Sequence, residues 1–314
     1  MAPIPDPEPL TEPVLRAYGP DLDPYRHAPA DWLDELDDRT VHHGPPHQRM
    51  TTRRIDERDW FVIDEHRTAE LALRARLYGE RHADVFACEA GAEAACEETA
   101  ALVSTWLSHH HDHHDHHHDH QNHDGSPAPA DHPLARAGLS VQDDLCIMEQ
   151  DGRGWRLTAG ILCFPTYWRL HDKIGLPQEQ IHGPVPHYAD DLAPTVNRFF
   201  DRLTPDRIMG RRNWGFASEP LLFLPDKSVL VERTTSVDEL WLRSERQTLR
   251  RLPATGAIVF AIRVQLAPIG ALTTRPQLAK RLAAAIRSWT PELRASRGAR
   301  HGQLDALTEW LETV

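Results

Sequence analysis

Ala257–Leu266, AIVFAIRVQL, decides the fold class. Ile258, Phe260, Ile262, Val264 and Leu266 stand at every second position, which puts five apolar side chains on one face of a β-strand. Just upstream, Trp241–Leu252 (WLRSERQTLRRL) is a strand candidate of strongly polar text, and Arg211–Leu224 reads as extended. Further out, Asp144–Gln150 carries Leu145, Cys146, Ile147 and Met148, Asp151-Gly152 signals a turn, and Trp155–Phe164 reads as the return strand. Thr166–Leu203 lies between this hairpin and the three later strands. It is helical and loopy, interrupted by Gly175, Pro177 and the Gly183-Pro184-Val185-Pro186 block. Hairpin, short helices, then three strands predicts an α+β fold, an antiparallel sheet with helices on one side. Strands do not alternate with long helices, so a doubly wound nucleotide fold is disfavoured.

The flanks follow from the same patterns. Residues 134–270 form the sheet-centred unit. Residues 271–314 return to helix, with Leu278, Leu282, Ala285, Ile286 and Trp289, then a closing turn carrying Leu304, Leu307 and Trp310. Residues 31–108 are predicted mostly helical. Asp64 is the expected N-cap of a helix with Leu71, Leu73, Leu77 and Tyr78, and a second helix runs from Glu93 to Leu107 with Ala95, Cys96, Thr99, Leu102, Val103 and Trp106 on one face. Residues 1–30 are Pro-rich and acidic and are expected to form an irregular arm. Residues 109–133 hold HHHDHHDHHHDHQNHD, with ten of the 21 histidines, followed by linker composition. Lacking apolar residues, this insertion is expected to be disordered and to bind Zn²⁺, Ni²⁺ or Cu²⁺ weakly at many sites rather than at one.

A net charge of −12 argues against nucleic acid or an anionic membrane as partner. The start of the chain lacks export-signal character and no apolar run is long enough to span a bilayer, so a cytoplasmic location is expected. The four cysteines show neither zinc nor disulfide-framework spacing; Cys146 and Cys163 read as small buried hydrophobes. No Gly-rich phosphate loop, G-x-G-x-x-G, G-x-S-x-G or H-E-x-x-H occurs. An enzyme built on this chain needs a different cofactor or none.

Four blocks can carry chemistry: Gln142-Asp143-Asp144, Lys173 through Pro186, Arg211-Arg212-Asn213-Trp214, and Arg243 through Pro253. The bland reading of the last is a solvated sheet face with cross-strand ion pairs. A lone histidine such as His182 is more often structural than a ligand. Taken together, however, Asp144-Leu-Cys-Ile-Met, Cys163-Phe-Pro with Trp168, Lys173-Ile-Gly, Ile181-His-Gly-Pro-Val-Pro, Arg212-Asn-Trp and Glu245-Arg-Gln-Thr-Leu-Arg-Arg-Leu-Pro resemble the DUF3445 family. That family includes the haem-binding α subunit of haem-dependent oxidative N-demethylase, and the resemblance runs from about Arg53 to Trp289 around the histidine tract.

The resemblance implies a PAS-like antiparallel sheet with helical flanks and haem b on its concave side. It implies O₂-dependent oxidation of a small methylated amine with release of formaldehyde. With no flavin or iron–sulfur signature in the chain, a separate reductase must supply the electrons. A non-catalytic haem- or ligand-sensing PAS module and a haem-free interaction protein are the competing readings. Within this frame His182 is the expected iron ligand, with His171 and His187 as rivals. On chemical grounds Arg211, Arg212 and Arg246 are candidates for the haem propionates. Glu245 suits a protonated amine, and Gln247 or Asn213 suit bound O₂. Strand alternation puts Glu245 and Arg246 on opposite faces, so at most one of them faces the pocket.

Overall fold

The computed structural model describes residues 9–21, 23–28, 30–41, 51–110, 130–183, 193–226, 236–296 and 303–314. Its centre is a sheet of seven strands: β1 (Arg53–Ile55), β2 (Phe86–Cys88), β3 (Asp144–Asp151), β4 (Gly154–Ile161), β5 (Ile208–Ala217), β6 (Trp241–Arg251) and β7 (Ile258–Pro268). The order across the sheet is β1-β5-β6-β7-β3-β4-β2, and every neighbouring pair is antiparallel. The last strand in sequence therefore lies in the middle, between β6 and β3.

The helices are α1 (Glu12–Ala17), α2 (Asp23–His27), α3 (Arg67–Glu80), α4 (His82–Val85), α5 (Glu93–His110), α6 (Pro133–Gly138), α7 (Gln178–Ile181), α8 (Ala193–Arg202), α9 (Pro276–Arg287), α10 (Pro291–Ser296) and α11 (Gln303–Thr313). The α+β class and the antiparallel sheet are as the sequence predicts. The distribution of helices is not: they cover both faces. On one face, Leu145, Ile147, Ala159, Ile161, Val259 and Ala261 pack with Leu77, Val85, Ala95, Cys96 and Val103. Beside them Trp214, Phe216, Leu242 and Ala267 pack with Leu278, Leu282, Ile286, Leu307 and Leu311 of the C-terminal helices. On the other face Cys146, Met148, Leu157, Leu249 and Ile258 pack with Leu170, Val196 and Phe200 of the β4–β5 connection. Along β7 the face of Ile258, Phe260, Ile262, Val264 and Leu266 is apolar, while the other carries Arg263 and Gln265 among Val259, Ala261 and Ala267.

Turn chemistry fixes the hairpins. Asp151 Oδ1 accepts the Arg153 N–H at 2.7 Å, and Gly154 then takes φ = 96°, open to glycine at no steric cost. Between β6 and β7, Leu252 N–H donates to Ala257 C=O at 2.7 Å, and the Glu98 carboxylate of α5 accepts the Ala254 and Thr255 amides at 2.7 and 2.9 Å. That contact locks the tip of the central hairpin onto α5.

Several local expectations change. The N-terminal arm holds two short helices whose Leu15 and Tyr25 are buried. The α3 helix starts at Arg67, not at Asp64, whose carboxylate instead binds Arg263 at 2.6 Å and Gln142 at 2.7 Å. It buries Glu70, Arg74 and Leu77 rather than Leu71 and Leu73. Arg74 bridges Asp144 at 2.8 Å and Arg263 bridges Glu70 at 2.8 Å, so this helix faces the sheet with a paired ionic stripe. The histidine tract, apart from His109 and His110 at the end of α5, lies outside the described residues.

Candidate functional site

Register decides which polar side chains meet. Across β5 and β6, Arg211 stands opposite Gln247, Arg212 opposite Arg246, and Asn213 opposite Glu245; across β6 and β7, Arg246 stands opposite Arg263 and Glu245 opposite Val264. Residues directly opposite share a face. Arg211, Asn213, Glu245 and Gln247 therefore share the face of Ile262 and Val264, while Arg212 and Arg246 lie on the other. Of the three arginine candidates for a propionate, Arg211 thus lies on the opposite face from Arg212 and Arg246.

Arg212 is buried against Glu35, at 3.0 Å, and donates to Gln265 Oε1 at 2.7 Å and Ser244 Oγ at 3.2 Å. Burial lowers its pKa, partly offset by Glu35, whose own carboxyl is held below the usual range chiefly by Arg212 against the opposing effect of burial. Arg246, also buried, donates to the Trp60 carbonyl at 3.1 Å and to the Asp59 carbonyl. Both arginines join the sheet to the segment running into β1 and on toward α3. Nor is block four a solvated face: Arg243, Ser244, Arg246 and Thr248 are all buried.

The opposite face is covered at its two ends and more open between them. At one end Arg243 donates to the Leu221 carbonyl at 2.7 Å, the Pro165 carbonyl at 3.0 Å and the Leu222 carbonyl at 3.2 Å. At the other, Leu249 packs with α8 and Arg251 donates to the Phe200 carbonyl at 3.4 Å. Between them Arg211, Asn213, Glu245 and Gln247 are all half-buried. Arg243 Nε–H donates to Thr166 Oγ1 at 2.9 Å, and Thr166 O–H donates to Glu245 Oε1 at 2.5 Å. Gln247 Nε2–H donates to the second oxygen, Glu245 Oε2, at 2.8 Å. Each carboxylate oxygen thus has one fixed donor and a lone pair left to accept another. Thr166 is itself clamped by a bridge to Leu224, and the next residue, Tyr167, adopts φ = 61°, a costly left-handed conformation for a side chain of this size.

His182 caps the C-terminal end of α7, four residues that β4 anchors through an Arg156–Pro177 bridge. Gln178 is buried and Ile181 packs into the cluster beneath α8. His182 Nδ1–H donates to the Gln178 carbonyl at 3.0 Å, which selects the tautomer whose in-plane lone pair is on Nε2. Burial lowers the pKa of the ring, and the positive charges of Arg211 and Lys173 lower it further. Of its rivals, His171 is paired with Asp172 at 2.9 Å, both side chains half-exposed, and His187 lies outside the described residues.

A groove of about 700 Å³ lies elsewhere, at the β1 edge, lined by Arg53, Arg54, Phe61, Ile63, Trp106 and His110 among others. His110 stacks on Trp106 at 4.2 Å and donates from Nδ1 to the Trp106 carbonyl at 2.6 Å. Arg246, singled out in the sequence, also lines this groove, whereas no sequence pattern pointed to Thr166, whose partner Glu245 is 79 residues away.

Fold and site together define an antiparallel-sheet α+β protein that presents an ordered carboxylate on one sheet face. Residues 51–306 match the family described as haem-dependent oxidative N-demethylase, alpha subunit-like, and the chain belongs to that family.

Proposed function

We propose that the protein is a haem-dependent oxidative N-demethylase-like oxidoreductase acting on a small methylated amine, with residues 134–270 as the PAS-like haem-holding unit. The observation that carries this reading is the half-buried quartet Arg211, Asn213, Glu245 and Gln247 on one sheet face, to which we bring His182. The PAS-like reading rests on the five long strands, whose spatial order, counted from the β3–β4 hairpin, is second, first, fifth, fourth, third.

The residues present fit haem. A neutral imidazole with its proton fixed on Nδ1 is the form that binds iron, and Arg211 supplies positive charge on the same face for a propionate. When bound, haem supplies activation of O₂. The net change is R₂N–CH₃ + O₂ + 2e⁻ + 2H⁺ → R₂NH + CH₂O + H₂O, the electrons coming from a separate reductase. Glu245, held by Thr166 and Gln247, binds the ammonium form of the amine through its remaining lone pairs and takes up its proton. With Gln247 engaged at Glu245, its first role is to hold that carboxylate in place. Asn213, opposite Glu245 on the same face, is then our candidate to orient O₂.

The β1-edge groove supports a second placement of the haem, with His110 as ligand, because it joins apolar and cationic side chains to a histidine whose Nδ1 is likewise the donor. Absorbance spectra after haem addition separate the two. His182→Ala is expected to lose or shift the Soret band, with partial recovery on adding imidazole, while His110→Ala leaves it unchanged. The reverse pattern moves the haem to the edge groove. No Soret band in the wild type leaves the haem-free interaction protein. Formaldehyde release from methylated amines with an added reductase then distinguishes an enzyme from a sensor.

A further inference from the structure

Cys88 at the end of β2, Cys96 in α5 and His132 at the N-cap of α6 come from three elements, and their ligand atoms lie within 4.8 Å of one another. We propose that they form a binding site for a thiophilic d¹⁰ cation, Zn²⁺ in the first instance, that ties the edge strand β2 to α5 and α6. The two sulfurs are 3.9 Å apart. Two thiolates bound to one tetrahedral zinc at about 2.3 Å stand about 3.8 Å apart, so the pair needs almost no movement to chelate. A disulfide, by contrast, would require the sulfurs to close to about 2.0 Å.

The surroundings favour a cation. Burial is the main reason that both thiols are shifted upward, and the negative charges of Glu93 and Glu149 add to it. A divalent ion that displaces both thiol protons relieves the same repulsion, and its binding strengthens as pH rises. The His132 ring packs edge-on against Phe86, with centroids 4.8 Å apart. Its Nδ1 accepts the Leu134 amide at 3.2 Å, and capture by either ring nitrogen gives up that one long capping bond. Two thiolates and a neutral imidazole exactly balance Zn²⁺ in charge and leave a fourth position for water.

The test uses the full chain, purified without metal-affinity resin and loaded with Zn²⁺. A second form has every histidine of 111–124 replaced by serine, to remove the weak sites of the tract. The serine form is expected to hold one zinc with a sulfur shell at about 2.3 Å in zinc K-edge absorption spectra, and the wild type the same shell beside nitrogen and oxygen ligands from the tract. Cys88→Ser is expected to halve that shell and the Cys88→Ser/Cys96→Ser double variant to lose it. The spectrum of the serine form decides the matter even if a cysteine variant misfolds. A shell of nitrogen and oxygen alone at about 2.0 Å overturns the proposal, as does a sulfur shell that survives the double substitution. A Cys88–Cys96 disulfide in protein purified under argon also overturns it.

Discussion

Asp143 is completely buried at the entrance to β3, and neither of its oxygens has a hydrogen-bond partner among the described residues. Burial pushes its carboxyl up to about 7, although Arg263, Arg246 and Arg74 pull the other way. The folded state thus holds a proton that the unfolded chain, with a pKa of about 3.9, has already released. The stability linked to this group is fully present below the unfolded value and is lost as pH rises through about 7. Asp143→Asn keeps the neutral shape at every pH. Its stability relative to wild type is expected to grow from pH 5 to pH 8, read as urea midpoints. A difference that stays flat, or that favours wild type at pH 8, would mean the ionised carboxylate is paired with an arginine. No sequence pattern shows this. Gln142-Asp143-Asp144 stands out as a block, but only the tertiary fold separates Asp144, which accepts the Cys163 and Phe164 amides, from Asp143, which accepts nothing.

At the scale of elements, close approach sets the tolerances. A Cβ on Gly138, the last residue of α6, would lie 2.2 Å from Ile161 Cγ2 in the core. Gly138→Ala is expected to cost about 1–3 kcal/mol through overpacking. Gly215→Ala in β5 meets nothing within 4 Å and is expected to be neutral or slightly stabilising. Paired thermal melts check the contrast, and equal losses would remove packing as the cause. Elements were legible where their own residues carry the pattern. The alternation in β7, the Asp151-Gly152 turn and the apolar stripe of α5 are local signals, and all three match the structure. The three-residue strands β1 and β2 are too short to carry a period. The buried stripe of α3 was misread because its charges are neutralised by Asp144 and Arg263, on strands more than 60 residues away. The site was half legible for the same reason. Alternation separated Glu245 from Arg246, but the carbonyls that occupy Arg246 come from Asp59 and Trp60.

For the whole molecule, the two sheet edges govern association with other chains. The sheet ends in β1 and β2, three residues each, which offer little ladder for another chain to extend. Among the described residues no helix is long and apolar enough to cross a membrane. The tract carries no apolar side chain, so replacing its histidines at 111–124 by serine is expected to shift the melting temperature by no more than about 2 °C. The same change should sharply lower retention on a nickel column. A large loss of soluble protein would show that the tract supports the fold.

The placement of β7 also governs how the chain folds. The strand that joins the β3–β4 hairpin to the β5–β6 pair is the last of the seven to leave the ribosome. Until residue 268 has emerged, the β3–β4 hairpin and the β5–β6 pair lack the strand that joins them. Closure then brings together segments more than 100 residues apart, as in the pairing of Asp144 with Ile262, so folding is governed by long-range contacts and is slow for a chain of this size. During that interval the unpaired edge of β3 is the surface most open to the wrong partner.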